Sequence, residues 1–310
     1  MSVRSMPPLL AFLACVLVSA LCAWIGHARL IEAADDELAL AARSAAARVE
    51  TELRGRLRAL ESVAALEAQA PSAADVAGHR RAALAILARL YPELAWAGFT
   101  DDSGRVLAAH RGLLEGVDVS ARPWWRAARG GPYLGGAREA VLLADALRAI
   151  AIGTDPPRLL DVAVPLRDAA GVPKGVLGVH LDAEWAARLR EALQGTLARL
   201  DDVEVLLVQP DGRPVSGRPS SGPAVELPGR GGEMGRTAMV DGRERAVAAA
   251  AVDGDVVVSR LGWTIVVARD PGRHSARASA YATGVLAAGL AVGALAALGT
   301  RLALRRRPAP

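Results

Sequence analysis

Three hydrophobic patterns follow one another along the 310-residue chain. The first is an unbroken apolar run, seen at Leu9–Ile25 and again at Ala278–Thr300, where no charged residue occurs. A helix needs about 20 such residues to cross a bilayer, and only a helix satisfies its own backbone polar groups there. Spanning helices are therefore predicted at 8–27 and 278–300. The second pattern is amphipathic. Leu30, Ala34, Leu38, Ala41, Ala45, Val49, Leu53, Leu57, Leu60 and Ala64 recur every three or four residues without a proline, which predicts one stalk helix over 28–70, about 60 Å long. A second helix is expected over about Ala74–Leu90, beyond Pro71 and Ser72.

The third pattern is short and strand-like. Leu94–Thr100 and Arg105–His110 flank the turn Asp101-Asp-Ser-Gly104, and Leu159–Leu166 and Lys174–Leu181 flank Asp168-Ala-Ala-Gly171. Ser120–Arg129 reads as a helix, and Asp182 is placed to cap another running to about Leu200. A strand at Val203–Gln209, the turn Pro210-Asp-Gly212 and a short return at Arg213–Ser216 repeat the theme. Further strands are expected at Arg245–Val252, Val256–Arg260 and Trp263–Arg269, with a Gly-, Pro- and Ser-rich loop at Gly217–Gly235. The fold class is α+β: a long N-terminal stalk helix and two tandem antiparallel-sheet modules, distal over 71–200 and membrane-proximal over 201–275.

Charge changes the picture at the ends. The net charge is +4, yet five of the 37 basic residues and none of the 33 acidic ones lie in 1–27 and 278–310. The middle is nearly neutral, so a nucleic-acid partner is not expected. Arg4 and the Arg301–Arg307 cluster place both ends in the cytoplasm by the positive-inside rule, with 1–7 and 301–310 as tails and the body outside. A cleaved signal peptide remains the alternative for the first run. Both cysteines, Cys15 and Cys22, sit in that run, which leaves the body no disulfide and no thiolate metal site. No phosphate loop, zinc-protease or serine-hydrolase signature occurs, so neither an enzyme, nor a metal, nor a cofactor is expected.

Several stretches, in order, resemble the double Cache (PAS-like) family of extracytoplasmic sensor domains. They are Asp101-Asp-Ser-Gly-Arg-Val106, Asp118-Val-Ser-Ala-Arg-Pro-Trp-Trp-Arg-Ala-Ala128, Asp161-Val-Ala-Val-Pro-Leu-Arg-Asp168, Gly175-Val-Leu-Gly-Val-His-Leu-Asp182 and Leu261-Gly-Trp263. The resemblance covers nearly the whole chain. It implies two PAS-like modules on a stalk, a small ligand in the distal one, and a signal passed through the membrane helices.

In the amino-acid-sensing branch of that family an Arg and an aromatic grip the ligand carboxylate. By position these would be Arg122 with Trp124 and Trp125, a guanidinium suited to bidentate pairing beside an indole donor. Tyr133, Asp161 and His180 are secondary ligand-binding candidates. Three departures stand out: Val117 replaces a Tyr, Trp125 replaces a Tyr, and His180 stands where that branch has the ammonium-binding Asp. Arg122 with His180 would suit a small carboxylate, with His180 lending pH dependence. The structural alternative is that both Trp pack the core and Arg122 pairs with Asp118. Only about ten residues follow the second span, too few for an effector domain, so three readings stand: a cytoplasmic or membrane signalling partner acting in trans, an effector missing from a truncated chain, or a domain that acts purely outside. The stalk suits a homodimer. The competing function is an envelope interaction module that binds a protein partner without a small ligand.

Overall fold

The computed structural model describes residues 6–69, 73–139, 158–182, 184–200, 202–215, 225, 237–240 and 242–305. Helix α1 (Met6–Glu67) runs without interruption from the first apolar run through the whole stalk. No break separates the two, because no proline follows Pro8 within it and strong helix formers dominate. The amphipathic stripe is buried from Leu38 to Ala64, while Leu30 is 37% exposed. Helix α2 (Ala73–Leu90) returns to the first sheet. The break expected at Pro71 and Ser72 lies outside the described residues, as do most of the loop 217–235 and Arg306 and Arg307.

Two antiparallel sheets pack on α1. The distal sheet contains β1 (Leu94–Thr100), β2 (Val106–Ala109), β3 (Tyr133–Glu139), β4 (Arg158–Arg167) and β5 (Pro173–Asp182), in the order β2-β1-β5-β4-β3. The proximal sheet contains β6 (Val203–Val208), β7 (Thr237–Val240), β8 (Arg243–Ala251) and β9 (Thr264–Arg269), in the order β6-β9-β8-β7. A bridge between Val208 and Pro214 adds a rudimentary strand outside β6, so the strand order of the first sheet recurs in the second. Short helices α3 (Pro123–Ala128), α4 (Glu184–Thr196) and α5 (Val256–Ser259) fill the connections, and α6 (Pro271–Arg305) carries the second apolar run. The architecture is mixed α+β, with two antiparallel sheets and a long N-terminal helix.

One face of each sheet is sealed by the stalk. Phe99, Val162, Val164, Leu177, Val179 and Leu181 from the distal sheet join Val205, Leu207, Ile265 and Val267 from the proximal one and the α1 stripe in one continuous core. The period-2 alternation of each strand sends the other residues to the opposite face. A buried charge network ties the distal sheet to the stalk. Arg56 lies 2.6 Å from Glu93 and 2.9 Å from Glu52, with its guanidinium 4.5 Å from the Trp185 ring centroid.

Four elements differ from expectation, the first being β7, which has no counterpart among the expected strands. Residues 256–260 fold as helix α5 and not as a strand, because the Asp255 side chain accepts from the backbone N–H groups of Val257 and Val258 and caps the turn. That local bond overrides the strand preference of three consecutive valines. Helix α3 starts only at Pro123, whose fixed φ suits a first helical position. Strand β3 was not foreseen, since Gly135 and Gly136 hide its alternation.

The apolar runs differ from core helices. Leu10, Leu17, Val18, Trp24, Leu295 and Leu298 are all more than half exposed. Both helices are long and apolar enough to cross a membrane, and little of the apolar stretch of either is buried in the protein. They pack against each other through small residues: Gly289 lies against Ser19, Gly293 against Phe12, and Gly26 against the Tyr281 ring.

Candidate ligand site on the distal sheet

The register of the distal sheet builds the site. On the face turned away from α1, cross-strand pairing aligns Trp96, His180, Asp161 and Gly135 in one row. The adjacent row is Ala109, Gly98, Gly178, Ala163 and Tyr133. The second row is a floor of small residues, and its reason is visible above it. A Cβ on Gly178 would lie 2.5 Å from the Trp124 ring, and one on Gly98 would collide with the Trp96 ring. Tyr133 folds over Gly135, so its hydroxyl lies beside Asp161.

Trp96, Trp124 and His180 form an aromatic cluster on this floor. The His180 ring stacks on Trp96 at 5.0 Å and 26°, and meets Trp124 edge-on at 5.5 Å and 82°. Trp96 and Trp124 are tilted at 5.9 Å. His180 Nδ1 lies 2.8 Å from Asp161 Oδ1, yet it makes no aligned hydrogen bond. The two atoms are close without the alignment that directed N–H donation needs. His180 is 8% exposed, so this titratable ring is all but removed from water.

Helix α3 is locked over the face by one fully satisfied hydroxyl. Trp125 Nε1 donates to Thr100 Oγ1 at 2.9 Å; Thr100 donates to the Val176 carbonyl and accepts from the Val176 N–H. Trp125 thus spends its donor inside the protein, and Arg129 covers its ring at 5.1 Å. The loop before α3 is pinned too. Gly104, at φ +94°, passes so close to Ser120 that a Cβ would lie 2.8 Å from its backbone nitrogen, and Val119 N–H donates to the Gly104 carbonyl.

Arg122 occupies the N-cap of α3, two residues before Trp124, and is half-buried. It forms no ion pair among the described residues. Asp118 accepts instead from the Ser120 N–H, and that hydrogen bond holds its carboxyl below the usual carboxylate range. The structure thus brings Trp124, Tyr133, Asp161 and His180 onto one face, sets Arg122 at the start of the helix covering it, and turns Trp125 to a packing role. Sequence reasoning missed Trp96, Gly98, Gly178 and Thr100. The pairing of Trp96-x-Gly98 with Gly178-x-His180 on two expected strands was the available signal.

The fold is met in solved structures. The ligand-binding domain of the Pseudomonas aeruginosa PAO1 amino acid chemoreceptor PctB in complex with L-Gln is 20% identical, with a TM-score of 0.56 over 82% of this chain and 98% of that one. The corresponding domain of the Pseudomonas fluorescens chemoreceptor CtaA with L-isoleucine gives 20% and 0.56 over 79% and 96%. That of P. aeruginosa PctC with GABA gives 18% and 0.53 over 76% and 99%. The chain has the double Cache fold. No family model and no curated protein matches the sequence. Among double Cache domains of such low identity it is the fold that is shared, so the chemistry of the site has to be argued from its own residues.

Proposed function

We propose that the chain is a membrane-anchored extracytoplasmic sensor. Its two PAS-like modules stand outside the bilayer, the distal one binds a small carboxylate-bearing ligand, and α1 and α6 carry the signal to a partner in trans, with the chain acting as a homodimer. The observation that carries this reading is the Trp96–His180–Asp161 row: polar, charged and aromatic, on the one distal face the stalk does not seal. Arg122 would supply the carboxylate partner, as a forked, charge-assisted donor. The indole walls exclude water from that pair. The membrane arrangement is supported by the exposed apolar lengths of α1 and α6, and by Trp24 and Tyr281 near their outer ends, where interfacial aromatics belong.

Asp161 refines the ligand class. A carboxylate absent from the His180 position stands on the neighbouring strand, so an amino acid could set its ammonium on Asp161 and its carboxylate on Arg122. Organic acids without an amine would instead use Arg122 and His180. The test is the melting temperature of the full chain in detergent against amino acids, amines and organic acids. A ligand at 100 times its Kd stabilises by about 2.7 kcal/mol, a rise on the order of 5–10 °C. Hits among amino acids only, or among organic acids only, decide between the two classes.

One observation favours a second reading. Trp96 and Trp124 are both nearly fully buried over the glycine floor, as they would be in an envelope interaction module that needs no small ligand. A screen without any hit, together with retention of a protein partner, would select it.

A further inference from the structure

A second built site lies at the other end of the molecule. A cavity of about 250 Å³ opens where the stalk and α6 leave their apolar runs, lined by the apolar Leu30, Ala34 and Leu200 and by the cationic or titratable Arg199, Arg269, Arg273, His274 and Arg277. Glu37 is the one lining carboxylate among the described residues. The cations come from three separate places: the segment after α4, the end of β9 and the first two turns of α6.

The charges here are incompletely matched. Arg269 is only 7% exposed, and both of its terminal nitrogens reach a single Glu37 oxygen at 3.2 Å, leaving Nε buried without a hydrogen bond. His274 Nε2 lies 2.8 Å from Asp35, while its Nδ1 is buried and unpaired. Arg273 meets Asp202 at 3.1 Å, at the surface. Arg199 is exposed and has no ion pair among the described residues. Asp270 is occupied in capping α6 through the Gly272 and Arg273 N–H groups. Arg199 thus has no ion pair among the described residues, and the Nε of the buried Arg269 lacks an acceptor. A buried guanidinium nitrogen without an acceptor is destabilising, and an anion with several acceptor oxygens would offset that.

We infer that this cavity binds a phosphate group, presented by the headgroup of an anionic phospholipid. The cationic wall suits the phosphate, and the apolar wall suits the glycerol and first methylenes behind it. The lipid source rests on α1 and α6 spanning the bilayer; the phosphate chemistry does not. The headgroup would be held where the proximal sheet hands over to α6, so the lipid would clamp the joint between domain and membrane.

The test uses the full chain in a non-ionic detergent, with melting temperature as the readout. Short-chain phosphatidylglycerol is titrated against dioctanoylglycerol, which lacks the phosphate, and against inorganic phosphate. Saturable stabilisation by phosphatidylglycerol and not by dioctanoylglycerol is expected, with at least a tenfold loss of apparent affinity in Arg199→Gln/Arg273→Gln. The exposed single variant Arg199→Gln keeps the test valid should the double variant misfold. Inorganic phosphate acting equally well, and failing equally in the variants, would assign the site to free phosphate and remove the lipid. No shift with either phosphate compound, an equal shift with dioctanoylglycerol, or undiminished affinity in the variants overturns the site.

Discussion

The two sheets share one strand order and one partner, the stalk, yet their free faces have different chemistry. On the distal face stand Trp96, His180, Asp161 and Trp124 above a floor of Gly98, Gly178 and Ala163. On the corresponding proximal face an aliphatic cluster stands in their place, Val208, Val240, Val247, Val266 and Ala268 with Leu206, Ala238 and Ala249 beside them, and the charged pair Glu204 and Arg245 at its edge. Topology alone therefore does not make a site. The distal register brings small residues, aromatic rings and the close Asp161–His180 contact into adjacent rows, whereas the described rows of the proximal sheet carry no aromatic ring.

The contrast is broken most severely by Trp96→Ala. Removing a fully buried ring that supports both His180 and Trp124 should cost about 3–5 kcal/mol in urea unfolding, against roughly 1–3 kcal/mol for Val266→Ala on the proximal face. Equal costs would mean that the aromatic cluster is no special support. Next comes Thr100→Val, which leaves the Trp125 and Val176 N–H groups buried without an acceptor; about 1–3 kcal/mol should be lost, with Trp125 fluorescence red-shifted as α3 loosens. No proximal residue plays this part, so the effect should stay confined to hydrogen exchange around 96–130.

The smallest effect belongs to the proximal side. Asp255→Ala should cost about 1 kcal/mol, the usual worth of an N-cap. The hydrogen bond from the Val258 N–H, then that from Val257 and the Arg54 guanidinium, hold the Asp255 carboxyl below its ordinary range against the opposing effect of burial. Its contribution is thus complete above the unfolded value of about 3.9 and is lost as pH falls through the lower folded value. Hydrogen exchange at residues 252–260 should accelerate below about pH 4 in the native chain and show less pH dependence in the variant.

Much of this fold was legible because its signals are local. The stalk stripe from Leu38 to Ala64, the two apolar runs and the Asp/Gly turns all follow from period and turn chemistry within a few residues. What escaped depends on distant partners. Val256–Ser259 reads as a strand until Asp255 is seen to cap it, and β3 is masked by Gly135 and Gly136, the first of which has a reason only in the Tyr133 ring above it. Tyr133, Asp161 and His180 could be singled out individually. That Asp161 faces His180, and that Trp96 rather than Trp125 stacks on the ring, required the register of three strands.

The central claim is that Arg122 and the distal face hold the ligand. Calorimetric titration of the strongest thermal-shift hit into the full chain and into Arg122→Ala tests it directly. Loss of a charge-assisted pair worth about 1.5–3 kcal/mol should weaken binding roughly ten- to a hundredfold while the ligand-free melting temperature stays unchanged. An unaltered Kd in Arg122→Ala would contradict it.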